Sequence, residues 1–201
     1  MPTKGDRTRQ RILDVVENLL HERAFEDITI AEITRRAGVT RPGFYFYFGT
    51  KGAAVASLME NLFPEFMDAA SVWYEHEAED QRTGLRLGMA ATVALWRKHA
   101  VVMHGMVQAA AVDVRAREIW QQWVNAFVAR AVPTISADRP PRRGSASPTS
   151  EQLATFLVDA TFSSMERDVR SLVTTGATVD GTLEALVHVW EGALYVRPGQ
   201  S

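Results

Sequence analysis

The 201-residue chain reads as an all-α protein, with an N-terminal three-helix head carrying a helix-turn-helix and a C-terminal helical body for ligand binding and dimerisation, about nine helices in all. Three observations lead there. Residues 28–51, ITIAEITRRAGVTRPGFYFYFGTK, set two short helices on either side of a glycine turn. Apolar side chains recur at helical spacing along the rest of the chain, as in Ile12, Val15, Val16, Leu19 and Leu20, and again in Ile119, Trp120, Trp123, Val124, Phe127, Ala131 and Val132. Pro, Gly and Ser collect only in residues 138–150, DRPPRRGSASPTS, a composition that buries too little apolar area to order itself and predicts a mobile loop.

Taken in order, the first helix is expected over about Asp6–His21, packed behind the motif. The second runs over about Ile30–Arg36, where Thr29 caps the start, Glu32 reaches back to the cap amide and Ile28 staples onto Ile33. Gly38 tolerates the positive φ of a sharp reversal, and Val39 returns an apolar group beneath the turn. Thr40 caps the third helix, about Arg41–Phe48, with Pro42 in the first turn where an amide has no helical partner. Thr50 opens a longer helix through Val55, Leu58, Met59 and Leu62, with a kink or break at Pro64. So small a head cannot be stable by a wide margin alone and needs the body; the boundary is placed at residue 50, giving a head over 1–50 and a body over 51–201.

In the body, the polar segment 75–82 reads as a solvated connection. Helices follow over about 83–98, 101–112, 114–136, 151–174 and 179–196, the last two joined at Thr175-Gly176-Ala177. The final helix is apolar on two sides. Leu183, Leu186, Val187 and Trp190 take one face for the subunit's core, whereas Val189, Ala193 and Val196 take another and invite a partner.

The motif also suggests chemistry. Phe44, Tyr45, Phe46, Tyr47 and Phe48 stand in a row, and five rings on one short helix cannot all be buried. Phe44 and Phe48, one helical spacing apart, pack inward and leave Tyr45 and the edge of Tyr47 outward with Arg41. That surface suits the major groove of a duplex. Lys51, in the first turn after Thr50, sits where helix dipole and amides already favour a phosphate. The expected DNA-contacting set is Thr29, Thr40, Arg41, Gly43, Tyr45, Tyr47, Thr50 and Lys51.

Composition is that of an ordinary globular protein, 46% hydrophobic and 23% charged. A formal charge of −2 argues against non-specific coating of nucleic acid, yet residues 1–52 hold nine Lys and Arg against seven Asp and Glu. Lys4, Arg7, Arg9 and Arg11 cluster before the first helix, as a solvated arm or a contact to the duplex, and Arg35, Arg36, Arg41 and Lys51 cluster around the motif. With no cysteine, no signal-like start and no apolar run long enough to span a bilayer, a cytoplasmic protein without membrane association is expected. His21, His76, His99, His104 and His188 show no metal spacing, and no GxSxG, Walker or GxGxxG pattern is present. The expectation is therefore a non-enzyme without metal or cofactor.

The run TRPGFYFYFGTKGAAV resembles the recognition helix and following helix start of the TetR family of one-component transcriptional regulators, and is closer to its ethionamide-resistance-repressor (EthR-like) branch. The strong match covers about residues 8–55, with a weaker echo in Leu186–Trp190. Gly52 departs from the acidic residue usual after the lysine, and would loosen the first turn by about 1 kcal/mol relative to Ala. The resemblance implies a long apolar tunnel in the body that accepts lipophilic effectors. Its lining would fall on Trp96, Trp120, Val124, Phe127, Phe162, Met165 and Trp190, with Leu85, Met89 and Thr92 one helix earlier. The paired amides of the family's penultimate helix become Phe162 and Met165, and aromatic lining becomes Leu85 and Thr92. The same aromatic and Met positions also read as ordinary core.

One recognition helix reads three or four bases, too few to single out a site, so a two-fold dimer on a pseudo-palindromic double-stranded operator is expected, joined through the two C-terminal helices. The resulting expectation is a dimeric repressor released from DNA by a hydrophobic small-molecule effector. The alternative is a DNA-binding protein whose body binds a protein partner or only dimerises, with no effector pocket.

Overall fold

The computed structural model describes residues 3–75, 80–138 and 148–195, and among them the fold is all-α, with no strand. Nine helices are described: α1 Lys4–Glu22, α2 Ile30–Ala37, α3 Arg41–Tyr47, α4 Lys51–Tyr74, α5 Gln81–Lys98, α6 Ala100–Val112, α7 Val114–Asp138, α8 Ser150–Thr175 and α9 Thr182–Tyr195. A single 3-10 turn, Phe25–Asp27, joins α1 to α2. The expected mobile loop at 138–150 lies outside the described residues except at its two ends, as does His76.

Helix starts follow local capping chemistry. Thr3 and Asp6 form a reciprocal capping box that begins α1 two residues earlier than expected, and Thr149 with Gln152 does the same for α8. Asp80 accepts the Arg82 and Thr83 amides, each at 2.9 Å, and so starts α5 at Gln81. At α2 only half of the expected box forms. Thr29 Oγ1 accepts the Glu32 amide at 3.2 Å, but the Glu32 carboxylate turns to Arg23 and Arg36, both at 3.1 Å, because two guanidiniums outcompete a backbone amide. Pro64 lies inside α4 without the expected break.

The chain divides into two compact units, Met1–Phe63 with His99–Gln121, and Pro64–Lys98 with Gln122–Ser201, so the division runs within α4 and α7. In the first unit, Ile12, Leu13, Val16 and Leu19 of α1 are fully buried; Leu13, not Val15, completes the inward stripe. The small head gains its core from α6. Gly105 lets Leu20 approach so closely that a Cβ there would stand 2.7 Å from Leu20 Cδ2, and Gln108 Oε1 accepts the Phe25 amide at 3.2 Å.

Gly52 has a tertiary reason. It is buried at the start of α4, and an added Cβ would lie 2.5 Å from Asp113 Cγ and 2.6 Å from Asp113 Cβ. Asp113 also caps α7, accepting the Ala116 amide at 3.0 Å. Its carboxylate thus lies against the positive end of α4, where an acidic residue in the helix itself would otherwise stand.

The second unit is organised by Asp168 on α8, whose side chain is fully buried. Arg97 Nε donates to it at 2.7 Å and Arg97 Nη2 at 3.2 Å, the Val179 amide donates at 2.8 Å and Thr182 Oγ1 at 3.4 Å. This carboxylate joins α5, α8 and the approach to α9. It also explains why α9 starts at Thr182 and not near Val179: the Val179 amide is spent on Asp168, and Gly181 adopts φ 71°.

Burial works to raise the Asp168 pKa, but Arg97, the Val179 amide and Thr182 together outweigh it and hold it below the ordinary carboxylate value. The folded protein therefore stays ionised where the unfolded chain protonates, so this stabilisation is present above about pH 4 and lost as pH falls through the lower folded value. Asp168→Asn should lower the melting temperature at pH 7, and the gap from wild type should narrow in melts below about pH 4. Gly52→Ala should cost about 1–3 kcal/mol by overpacking. In thermal melts its combination with Asp113→Gly should be less destabilising than the sum of the two single changes.

Candidate nucleic-acid interface and body cavity

The turn between α2 and α3 forms as its residues dictate. Gly38 adopts φ 61° and ψ 37°, its amide and the Val39 amide returning to the Arg35 and Thr34 carbonyls at 3.4 and 3.1 Å. Thr40 Oγ1 then accepts the Gly43 amide at 3.1 Å and starts α3, with Pro42 in its first turn.

On α3 the rings divide by face. Phe44 and Phe48 are buried with centroids 5.8 Å apart, whereas Tyr45 is 44% and Phe46 82% exposed. Tyr47 is half-buried, its hydroxyl directed to the first turn of α1 near Gly5. Phe46 is the residue that sequence reasoning missed. The signal was available: with Phe44 and Phe48 inward, 46 is the position turned furthest from the core on a 100° wheel, with 45 and 47 flanking it on either side.

Thr29, Arg41, Tyr45, Thr50 and Lys51 come together around one open groove of about 440 Å³, floored by Ile28, Ile30, Ala31 and Gly49. Thr40 and Gly43 lie instead at the capped start of α3, and Tyr47 borders a neighbouring groove with Phe48, Gly49 and Thr50.

Lys51 corrects an expectation. Its ammonium does not project as a phosphate ligand but donates to the carbonyls of Phe25, Glu26 and Ile28 at 2.8, 3.0 and 2.8 Å, while standing 4.4 Å from the Phe25 ring centroid. All three donors are occupied in satisfying the end of the 3-10 turn. Burial pushes its pKa down, against the nearby Asp27 and Glu26 charges. At the start of α4 itself, Thr50 Oγ1 takes the Ala53 amide at 3.0 Å, and Asp113 packs against Gly52.

The other basic groups are partly spoken for. Lys4, Arg7, Arg9 and Arg11 belong to α1 itself and form no arm ahead of it, and Arg9 lies 5.3 Å over the Phe48 ring. Arg36 pairs with Glu22 at 2.7 Å and with Glu32, which holds α2 against α1; Glu22 and Arg36 are shifted down and up respectively by their mutual hydrogen bonds.

Within the second unit a cavity of about 50 Å³ is lined by α4, α5, α7, α8 and α9. Of the expected lining, Leu85, Met89, Thr92, Trp96, Phe127, Phe162 and Trp190 are in place. Trp120, Val124 and Met165 do not line it; Val124 and Met165 are buried in packing elsewhere. On α8 the facing positions are Val158, Thr161 and Phe162, so the lining keeps the expected face but lies one turn nearer the start of the helix than Met165. Ala70, Trp73, Tyr74 and Gly88 complete the wall. Their spacing of three and four residues is a signal that the sequence carried.

The rings meet edge to face. Trp73 and Trp190 centroids lie 5.2 Å apart at 86°, and Trp96 and Phe162 5.4 Å apart at 88°. Trp190 Nε1 donates to Thr161 Oγ1 at 2.9 Å, which donates to the Leu157 carbonyl at 2.8 Å. Trp73 Nε1 donates to the Tyr195 hydroxyl at 3.2 Å, which donates onward to Asp138; burial, with Asp138 adding to it against the Trp73 bond, pushes Tyr195 up to about 12.

Residues 12–58, covering most of α1 through the start of α4, match the family described as bacterial regulatory proteins, tetR family. Residues 85–196 match the family described as transcriptional regulator EthR, C-terminal domain. The chain is 29% identical over 201 residues to the HTH-type transcriptional regulator EthR of Mycobacterium tuberculosis, covering 95% of this chain and 88% of that one. It is 25% identical over 196 residues to EthR of Mycolicibacterium smegmatis, with the same coverage. The fold superposes with a TM-score of 0.71 on a TetR-family transcriptional regulator from Syntrophomonas wolfei, at 15% identity, covering 96% of this chain and 98% of that one.

Fold, motif and matches together define a helix-turn-helix DNA-binding transcription regulator. The chain belongs to the tetR family of bacterial regulatory proteins, with a C-terminal domain of the EthR type. Among the described residues no helix is long and apolar enough to cross a membrane.

Lys51→Ala leaves three carbonyls without their charged donor and should cost about 2 kcal/mol, lowering the melting temperature by about 4–8 °C in circular dichroism, before any DNA is added.

Proposed function

We propose that the protein is a dimeric repressor that reads a pseudo-palindromic operator with α3 in the major groove and leaves it when a lipophilic small molecule enters the second unit. The observation that carries the DNA half is the outward face of α3: Tyr45 and Phe46 exposed beside Arg41, on a helix whose remaining face is fixed by Phe44 and Phe48. The Tyr45 hydroxyl and the Arg41 guanidinium supply hydrogen bonds to bases or phosphates, and the Phe46 ring supplies an apolar surface of the kind that meets a thymine methyl.

Dimerisation follows from what α8 and α9 leave uncovered. Phe156 is 66% exposed, Val189 44% and Val173 38%, and a second copy of the chain would cover them.

The effector half rests on a small aromatic-lined cavity. At about 50 Å³ it is far below the roughly 300 Å³ of an ordinary ligand site, so a ligand must part the rings to enter, and that cost selects a state in which the walls stand open. The same helix that closes this cavity with Trp73 and Tyr74 begins at Lys51, so α4 is the element through which opening reaches the head. The small volume also favours a second reading, in which the body only dimerises or binds a protein.

Operator DNA selected from a random pool separates these outcomes. Tyr45→Ala and Phe46→Ala should weaken binding to the selected site by about 5–100-fold and reduce its advantage over a scrambled duplex, with little change in melting temperature. Phe156→Glu combined with Val189→Glu should shift sedimentation from dimer to monomer. Unchanged site discrimination in the α3 variants would remove the proposed contact face.

A further inference from the structure

The exposed residues of α3 fall into two short strips. Arg41 and Tyr45, four residues apart, carry the polar groups; Pro42 and Phe46, also four apart, carry none. Gly43 borders the second strip without a side chain, and its amide is taken by Thr40 Oγ1 at 3.1 Å, while Pro42 has no amide hydrogen at all. This second strip therefore offers a duplex contact area but no hydrogen bond. Phe46 dominates it at 82% exposed, and its ring meets the Tyr47 ring edge-on, with centroids 5.1 Å apart and planes at 89°. Tyr47 is itself half-buried, so the outward ring leans on a fixed neighbour and loses little freedom when it docks.

We infer that Phe46 reads the C5 methyl group of a pyrimidine, so that the protein tells thymine from uracil, and 5-methylcytosine from cytosine, at one position of each half-site. This rests on the α3 reading above; it assigns the methyl contact to one residue and extends it to a base modification. In the major groove the edges of guanine, adenine and cytosine present hydrogen-bonding groups, and an apolar ring set against them strips water from donors and acceptors and returns nothing. The thymine methyl is the one apolar group on a base edge there, and a C5-methylated cytosine puts the same group in the same place. A deoxyribose of the backbone could also seat the ring, but it is alike at every base pair and would give affinity without discrimination. Phe46 is the position turned furthest from Phe44 and Phe48, so a helix entering the groove with those two inward carries it toward the base edges ahead of the sugars.

The test uses the full chain and an operator selected from a random pool, in which each thymine is replaced in turn by deoxyuridine. For wild type, uracil at one position of a half-site should weaken binding about fourfold, the worth of one buried methyl, and 5-methylcytosine there should bind about fourfold tighter than cytosine. Phe46→Ala should weaken binding to the thymine operator and show neither the uracil penalty nor the gain from cytosine methylation, whereas Tyr45→Ala should retain both. Phe46→Leu, which keeps an apolar side chain, should retain part of the penalty, and it reads the contact should the alanine variant fail to fold. A wild-type protein indifferent to uracil at every thymine, a selected site without thymine, or a penalty equal in wild type and Phe46→Ala overturns this inference, and the α3 reading stands where Tyr45→Ala still loses site discrimination. If the wild-type protein selects no site from the pool, both are overturned.

Discussion

A seven-residue helix can bury only one side, and α3 with its C-cap carries five consecutive rings. That geometric limit governs the DNA-facing half of the protein. Phe44 and Phe48 satisfy the core and fix the rotation of α3, so the rotation itself puts Tyr45 and Phe46 outward. The outward face of α3 is thus a consequence of its packing: the residues that stabilise the helix are the ones that aim the others. The ammonium of Lys51 works on the same problem from the far side, binding the carbonyls that end the 3-10 turn and so setting the start of α4 against the entry to α2.

The second unit has a different foundation. Asp168 gathers Arg97, the Val179 amide and Thr182 into one buried cluster, which gives α5, α8 and the approach to α9 a fixed relation. Around that fixed point, aromatic edges close a small cavity. A buried, fully bonded carboxylate is rigid because losing any partner leaves a charge unsatisfied, whereas edge-to-face rings give up little for a modest displacement. The unit therefore combines a stiff anchor with a yielding wall.

Much of this was legible in the sequence wherever the cause is local. Thr29, Thr40 and Thr50 cap the helices they were expected to cap, Gly38 turns with positive φ, and Phe44 and Phe48 face inward because these depend on residues at most four apart. What failed depended on distant partners. Glu32 left its capping box for Arg23 and Arg36, and Gly52, read as a loosened turn, turned out to make room for Asp113 sixty residues on. In the body, the helices and the inward face of α8 were found but not which of its turns reach the cavity, since a stripe of apolar residues shows a helix and not which member faces a void; Met165 is packed away while Val158 and Thr161 face in.

The central claim, that α3 enters the major groove, is tested most directly by methylation interference with dimethyl sulfate on a selected operator, because guanine N7 lies in that groove alone. The account predicts that methylation blocks binding at guanines in two symmetric clusters whose centres stand a helical turn or more apart. Binding that tolerates N7 methylation at every guanine of a guanine-containing site would contradict it.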